Sequence, residues 1–337
     1  MVLIYFQHTM NRIGFSSMSS SAAISMWYKP FYVNLFFFIS GYLLFKKYHE
    51  VHFDKIDNKV WGNQYGHPLL SNIIFKIAIP TIIFSAIMLW KFAIRGDNGN
   101  LFSRIINDSI LGGSMWFTAA LAISELILYI IFKVYRSRNF LIYIIISVVL
   151  AILATQLTLF DVTIMNNNNI PWRYKSGMIA TLFLISGGIF NKYEDFFSKC
   201  NLLKKCLLYV PILLFYIISL IYCKELVYTN IGAGKITILG YFIAISISLL
   251  IIQICKCFQS NRFVDFFGRH TLVLYFLSGA LPETMGMVMM KVRPVLDWGQ
   301  VFFTTILALS IAFVLTYLIN QYIPWLLDFR QLRKKIG

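Results

Sequence analysis

Long apolar blocks separated by short polar intervals run along the chain from end to end. The stretch 31–45, FYVNLFFFISGYLLF, is almost unbroken aromatic and aliphatic sequence, with Asn34 and Ser40-Gly41 inside it and Lys46-Lys47 closing it. Further blocks occupy about 70–94, 113–135, 139–160, 176–191, 206–223, 236–255, 264–281 and 299–320. Blocks of this kind read as helices built for a hydrocarbon layer about 30 Å thick. The opening segment, apolar up to Gln7 and His8, reaches only about 10 Å as a helix, a fragment of a span. The pattern therefore predicts an all-α fold: a polytopic integral-membrane helical bundle of about ten spans, the first incomplete, with 1–337 as a single transmembrane domain. A translation start upstream of Met1 is expected to complete the first helix.

Polar and small residues inside the blocks refine this picture. Ser40-Gly41 and Gly187-Gly188 read first as positions where another helix approaches closely. Lys76 and Pro80, within one block, predict a snorkelling lysine and a bend.

Composition explains why the blocks need lipid. Hydrophobic residues make up 58% of the chain and charged residues 13%, with a mean hydropathy of +0.71. A soluble globule of that composition would expose apolar surface without a partner, and a bilayer supplies one. The formal net charge is +16, but the basic residues flank apolar blocks in ones and twos, where they meet lipid headgroups. No basic stripe with interleaved aromatics stands apart from a helix end, so nucleic acid is not expected as a partner.

Lysine and arginine are unequally shared between alternate inter-block regions. The positive-inside rule then puts the loops around 46–69, 136–138, 192–205 and 256–265, with the C-terminus, in the cytoplasm. His8, Trp116 and Arg173 fall toward the opposite face. The five cysteines have neither a disulfide framework nor metal-ligand spacing, which predicts reduced thiols near the cytoplasmic face and no metal site. The chain has no Walker loop, dinucleotide fingerprint, HExxH or CxxC pair, which excludes ATP-driven transport within it and argues against a metalloprotease.

An ionisable group at membrane depth is a site candidate because it is costly there. His8 has the chemistry to take a proton from a hydroxyl that attacks an acyl group; its plain alternative is to end a short helix among headgroups. Glu125 is suited to orienting a histidine or binding a cation, or else to pairing with Lys76 or Arg136. Arg173 beside Trp172 has the charge to hold an anionic substrate, and the same pair is ordinary interfacial composition. Glu283, after Pro282, reads as a solvated acid near a helix end. These residues leave two classes open: a secondary transporter exporting a lipid-linked or anionic solute, and an integral-membrane transferase.

Five segments, in order along nearly the whole chain, carry a family resemblance. They are VLIYFQH at 2–8, FYVNLFFFISGYLLFKK at 31–47, GSMWF at 113–117, IPWRYKSGMIATLFLISGGIFNK at 170–192 and FFGRHTLVLYFLSG at 266–279. Together they resemble the integral-membrane acyltransferase 3 family, and the second segment is the most specific. The resemblance implies a ten-helix architecture that transfers an acyl group, most simply acetyl from acetyl-CoA or another acyl-CoA, to a hydroxyl of a cell-surface or lipid-linked sugar. It implies His8 as general base and makes Trp116, Glu125, Trp172, Arg173 and Tyr275 candidates for binding substrate or donor. It further implies a multi-pass protein of a cell membrane, a bacterial inner membrane first, with membrane lipids around it and no permanently bound cofactor. The sequence departs from the family pattern at two places. The family's arginine, ten or eleven residues before the histidine, would precede Met1, and Ser278 occupies the neighbourhood where the family often has a second histidine. A catalytically inactive member is the reading that follows if that arginine is absent.

Overall fold

Among the described residues, two glycine-bearing apolar helices make the most extensive helix–helix contact. Their place is seen from the helix order in a computed structural model, which describes residues 1–13, 24–25, 27–49, 68–91, 101–135, 140–164, 171–198, 202–222, 231, 234–256, 258, 261–294 and 297–331. The helices are α1 (Val2–Ile13), α2 (Asn34–His49), α3 (Pro68–Asn72), α4 (Ile79–Ile87), α5 (Leu101–Arg104), α6 (Trp116–Tyr135), α7 (Phe140–Ile164), α8 (Tyr174–Ser198), α9 (Leu202–Tyr222), α10 (Ile238–Lys256), α11 (Arg262–Arg269), α12 (Thr271–Ser278), α13 (Leu281–Val292) and α14 (Trp298–Tyr322). Wide π-helical turns occupy Ile73–Ala78, between α3 and α4, and Ile105–Ile110, after α5. The described residues fall into two compact units. One comprises 1–28, 74–118 and 259–337, and the other 29–73 and 119–258.

In the second unit α2 lies along α8. A Cβ on Gly41 would stand 2.0 Å from the Leu184 carbonyl oxygen, and one on Gly187 would stand 2.0 Å from that of Phe38. Gly188 faces the Phe45 ring just as tightly, at 2.4 Å. The two backbones are thus in direct contact, the small-residue approach anticipated from Ser40-Gly41 and Gly187-Gly188. Phe37, Phe38, Phe183 and Leu184 beside the seam are fully buried. At one end Tyr42 Oη donates to Glu194 Oε2 at 2.6 Å, and Lys256 pairs with the other carboxylate oxygen. Gly177 repeats the motif against α6, where a Cβ would stand 2.5 Å from Ile123 Cγ2.

In the first unit α1 packs against α12, α13 and α14. The Phe6 ring lies flat against Trp298, 6.3 Å between centroids, and touches Phe302. The π turn before α4 follows from Pro80, which has no N–H to offer the carbonyl of the preceding turn. The Phe75 oxygen accepts instead from the Phe329 N–H at 3.3 Å. Lys76 sits partly exposed and pairs with Asp328 at 3.6 Å, so Glu125 is not needed to explain its charge.

The expectation of about ten spans is corrected by the structure. Among the described residues, five helices are long and apolar enough to cross a bilayer, or six if the bent α12–α13 pair counts as one span. The blocks that fall short have identifiable reasons. Among the described residues, the apolar stretch of α2 is Asn34–Lys46 and that of α9 is Tyr209–Tyr222. At 1.5 Å per residue each reaches about 20 Å, well under the hydrocarbon thickness. The block at 176–191 is buried almost throughout its length inside α8. Its glycines and serines serve protein packing rather than lipid contact, and Lys175, Lys192, Glu194 and Asp195 flank it. The opening helix, with twelve residues, is short as anticipated. What stands is an all-α, polytopic membrane bundle.

Candidate active site

The feature that organises the first unit is a break in a membrane-length helix. α12 ends at Ser278, α13 starts at Leu281, and their axes differ by 44°. Ser278 does not serve as an open nucleophile here: its hydroxyl is buried and donates to the Tyr275 carbonyl at 2.7 Å. Gly279 and Ala280 make the corner, and Pro282 then restarts the helix near its N-terminus, a position that tolerates proline. Glu283 follows in the first turn, where a carboxylate is favoured by the positive end of the helix dipole.

Two anchors fix how α1 runs along this broken pair. Tyr5 Oη, fully buried, donates to the Leu274 carbonyl at 2.9 Å. Farther along, Arg12 covers Gly286, where a Cβ would stand 3.1 Å from Arg12 Cγ. His8 is three residues after Tyr5 and four before Arg12, so all three share one helix face. His8 is thereby level with the Gly279–Glu283 corner. Its imidazole is partly buried and lies within electrostatic reach of Glu283 and Lys91. Beside it Gln7 accepts from Tyr28 Oη at 2.5 Å and donates to Asn11 at 2.7 Å, so the polar face of α1 is held.

Lys91 reaches the corner from the other side. Phe84 and Phe276 stack face to face at 4.5 Å, both buried, and this fastens α4 to α12. Two turns beyond Phe84, Lys91 is only 8% exposed. Its Nζ donates to the Gly279 carbonyl at 3.2 Å and to Ser114 Oγ at 3.3 Å. Ser114 is itself set by the π turn, since its N–H donates to the Asp108 carbonyl at 3.1 Å. The Gly113 N–H donates to that of Asn107, also at 3.1 Å, and Gly112 takes a positive φ of 71° to make this corner. Burial raises the Asp108 carboxyl above its ordinary value, and Lys91 and Arg104 oppose that rise. A buried amine is costly unless surrounding groups compensate it. This one has the Gly279 oxygen and Ser114 Oγ as acceptors and the Asp108 carboxyl within electrostatic reach.

Of the residues anticipated from sequence, His8, Trp116 and Tyr275 belong to the first unit. Tyr275 Oη accepts from the Phe117 N–H at 3.3 Å, and the two rings lie 4.7 Å apart; Trp116 is edge-on to Phe117. Glu125, Trp172 and Arg173 belong to the second unit. There Trp172 and Arg173 adopt φ of 51° and 49°, a left-handed conformation that costs bulky residues about 1–2 kcal/mol each. Arg173 Nε is buried with no hydrogen-bond partner among the described residues, and burial lowers its guanidinium from the ordinary value. Arg136, proposed as a partner for Glu125, lies outside the described residues, as do Cys200, Cys223 and Cys257, most of the 46–69 loop, and Arg333, Lys334 and Lys335. Cys255 is a free, exposed thiol.

Sequence reading missed Lys91 and undervalued Glu283. Lys91 ends an apolar block and so resembles a residue anchoring that block at the interface. Only the stacking of Phe84 on Phe276 turns it inward. Glu283 reads as solvated until α1 is seen lying over it.

The fold and this cluster define a multi-pass helical membrane protein in which charged groups gather at a broken helix. The acyltransferase domain family matches residues 1–319, and the chain belongs to that family. Neither the curated proteins nor the solved structures compared with the chain gave a match. The protein is accordingly a membrane acyltransferase.

Proposed function

We propose that the protein transfers an acyl group, acetyl in the simplest case, from acyl-CoA to a hydroxyl of a cell-surface or lipid-linked sugar, with His8 as general base. The observation that carries this reading is the position of His8, on the Tyr5–Arg12 face of α1 between the two anchors and within reach of Glu283 and Lys91. His8 takes the proton as the sugar oxygen attacks the thioester carbonyl, and the Glu283 carboxylate stabilises the imidazolium that forms. The proton then passes to the departing thiolate. Family membership supports acyl transfer in general, and the sugar acceptor and acetyl-CoA donor are our extension of it.

Tyr275 and Trp116 are assigned to substrate contact beside this corner. Arg173, with its unpartnered Nε, and Trp172 are assigned to an anionic portion of donor or acceptor, and Glu125 to a hydroxyl or cationic portion of the substrate. We take the location to be a bacterial inner membrane, as the family resemblance implies, with the C-terminus cytoplasmic from the distribution of lysine and arginine along the chain. The test uses full-length protein in detergent with acetyl-CoA and a saccharide acceptor, following release of free thiol. His8→Gln is expected to lower kcat by about 10²–10⁴-fold, with an unchanged unfolding temperature. Undiminished turnover in that variant would overturn the assignment.

A further inference from the structure

The broken helix presents a carbonyl, and the group that meets it is a buried cation. We propose that Lys91 is a further catalytic residue of the transfer: its ammonium holds the thioester carbonyl oxygen as that oxygen becomes an oxyanion. This inference rests on the acyl-transfer reading above and deepens it.

Three observations carry the assignment. First, Lys91 is 8% exposed and its Nζ stands at the Gly279 corner, 3.2 Å from that carbonyl oxygen. That is the level of the broken pair which the Tyr5 and Arg12 anchors give to His8. Base and cation thus flank one corner from two different helices. Second, the Gly279 oxygen and Ser114 Oγ that accept from Nζ are neutral and lie at 3.2 and 3.3 Å, beyond the 2.7–2.9 Å of a strong charge-assisted bond. A developing oxyanion is a stronger acceptor than either. Third, the amine is fixed from behind by Phe84 stacked on Phe276 and by the Ser114 turn, so it needs little reorganisation as charge appears, the condition under which such donors are most effective.

The step balances. The acceptor O–H oxygen forms a bond to the carbonyl carbon while its proton moves to His8, and the carbonyl π pair becomes the oxyanion beside Lys91. That pair returns to re-form C=O, the C–S bond breaks, and the thiolate takes the proton from His8. The products are the ester and free thiol, and no oxidant or reductant enters.

A purely structural role for Lys91, bracing Gly279 to Ser114, makes a different prediction, and Lys91→Gln separates the two. The glutamine amide keeps an N–H donor, one bond short of the Nζ position, but carries no charge. On our assignment K91Q keeps its unfolding temperature and its KM for acetyl-CoA within about threefold, while kcat falls about 10²–10³-fold, the loss typical of removing an oxyanion donor. Lys91→Ala is expected to recover part of its kcat with added ethylamine. A folded K91Q retaining kcat within threefold of the parent would overturn the assignment. If the neutral variants do not fold, Lys91→Arg decides. Its charge is spread over a planar fork, so kcat at least tenfold lower in folded protein supports the role and an unchanged kcat refutes it. H8Q, run alongside, distinguishes the failures. An active parent with inactive H8Q and active K91Q removes Lys91 alone, whereas a parent that releases no thiol removes the acyl-transfer reading and Lys91 with it.

Discussion

Along the α2–α8 seam a glycine stands wherever one backbone meets the other, whereas at the α12–α13 corner Gly279 stands beside a side chain. At the seam, a Cβ on Gly187 meets the Phe38 oxygen and the Tyr42 nitrogen, at 2.0 and 2.7 Å. Neither atom can move without moving a helix. At the corner, a Cβ on Gly279 meets the terminal methyl of Met115 at 2.7 Å, the free end of an adaptable side chain. Among the described residues the middle of the seam is lined by buried apolar side chains and glycines. The corner interrupts its helix and gathers Lys91, Glu283 and His8. One region shows how closely two helices can be fixed, and the other how much backbone regularity is given up to place polar groups at membrane depth, where irregular backbone survives only inside protein.

The sharpest way to break this comparison is at the seam. Gly187→Ala is expected to cost more than about 3 kcal/mol, because the added methyl forces the two helices apart. Loss of folded protein in detergent, seen as an early-eluting aggregate on size-exclusion chromatography, is the expected readout, and a monodisperse variant with parental melting would show that the seam is looser than described. A smaller, purely functional effect is expected at the corner. Glu283→Gln should keep the fold and lower thiol release about tenfold or more, since a neutral amide gives less support to the imidazolium; equal turnover would remove Glu283 from the site. Smallest of all is Gly279→Ala, which should change stability by less than about 1 kcal/mol as the Met115 methyl turns aside. A shift in unfolding temperature as large as that of Gly187→Ala would erase the distinction between the two regions.

How far these regions could be read from sequence follows from their physics. The seam was legible because close approach demands small residues and leaves them embedded in an apolar run, as at Ser40-Gly41 and Gly187-Gly188. The all-α membrane class was legible for the same reason, as was the family. Span number was not: an apolar block buried in protein and one facing lipid have similar composition, so the buried block of α8 was counted with the membrane-length helices. The corner was legible in part. His8 stood out because few residues carry its chemistry, but Lys91 and Glu283 sit at block ends, where charge is commonplace. Only tertiary contacts, Phe84 on Phe276 and α1 over α13, separate them from interfacial residues. Trp172 and Arg173 were noticed for their side chains, while their left-handed backbone left no trace in the sequence.

The proline at position 80 has an effect at the far end of the chain. By withholding an N–H it frees the Phe75 oxygen for Phe329, one residue from the Asp328 that pairs with Lys76 and Arg330. The segment after α14 is thus a clasp rather than a tail: its backbone and its charge both close on the same wide turn of the helix that delivers Lys91. Any change that frees that last segment would loosen the lever on which the buried amine is carried.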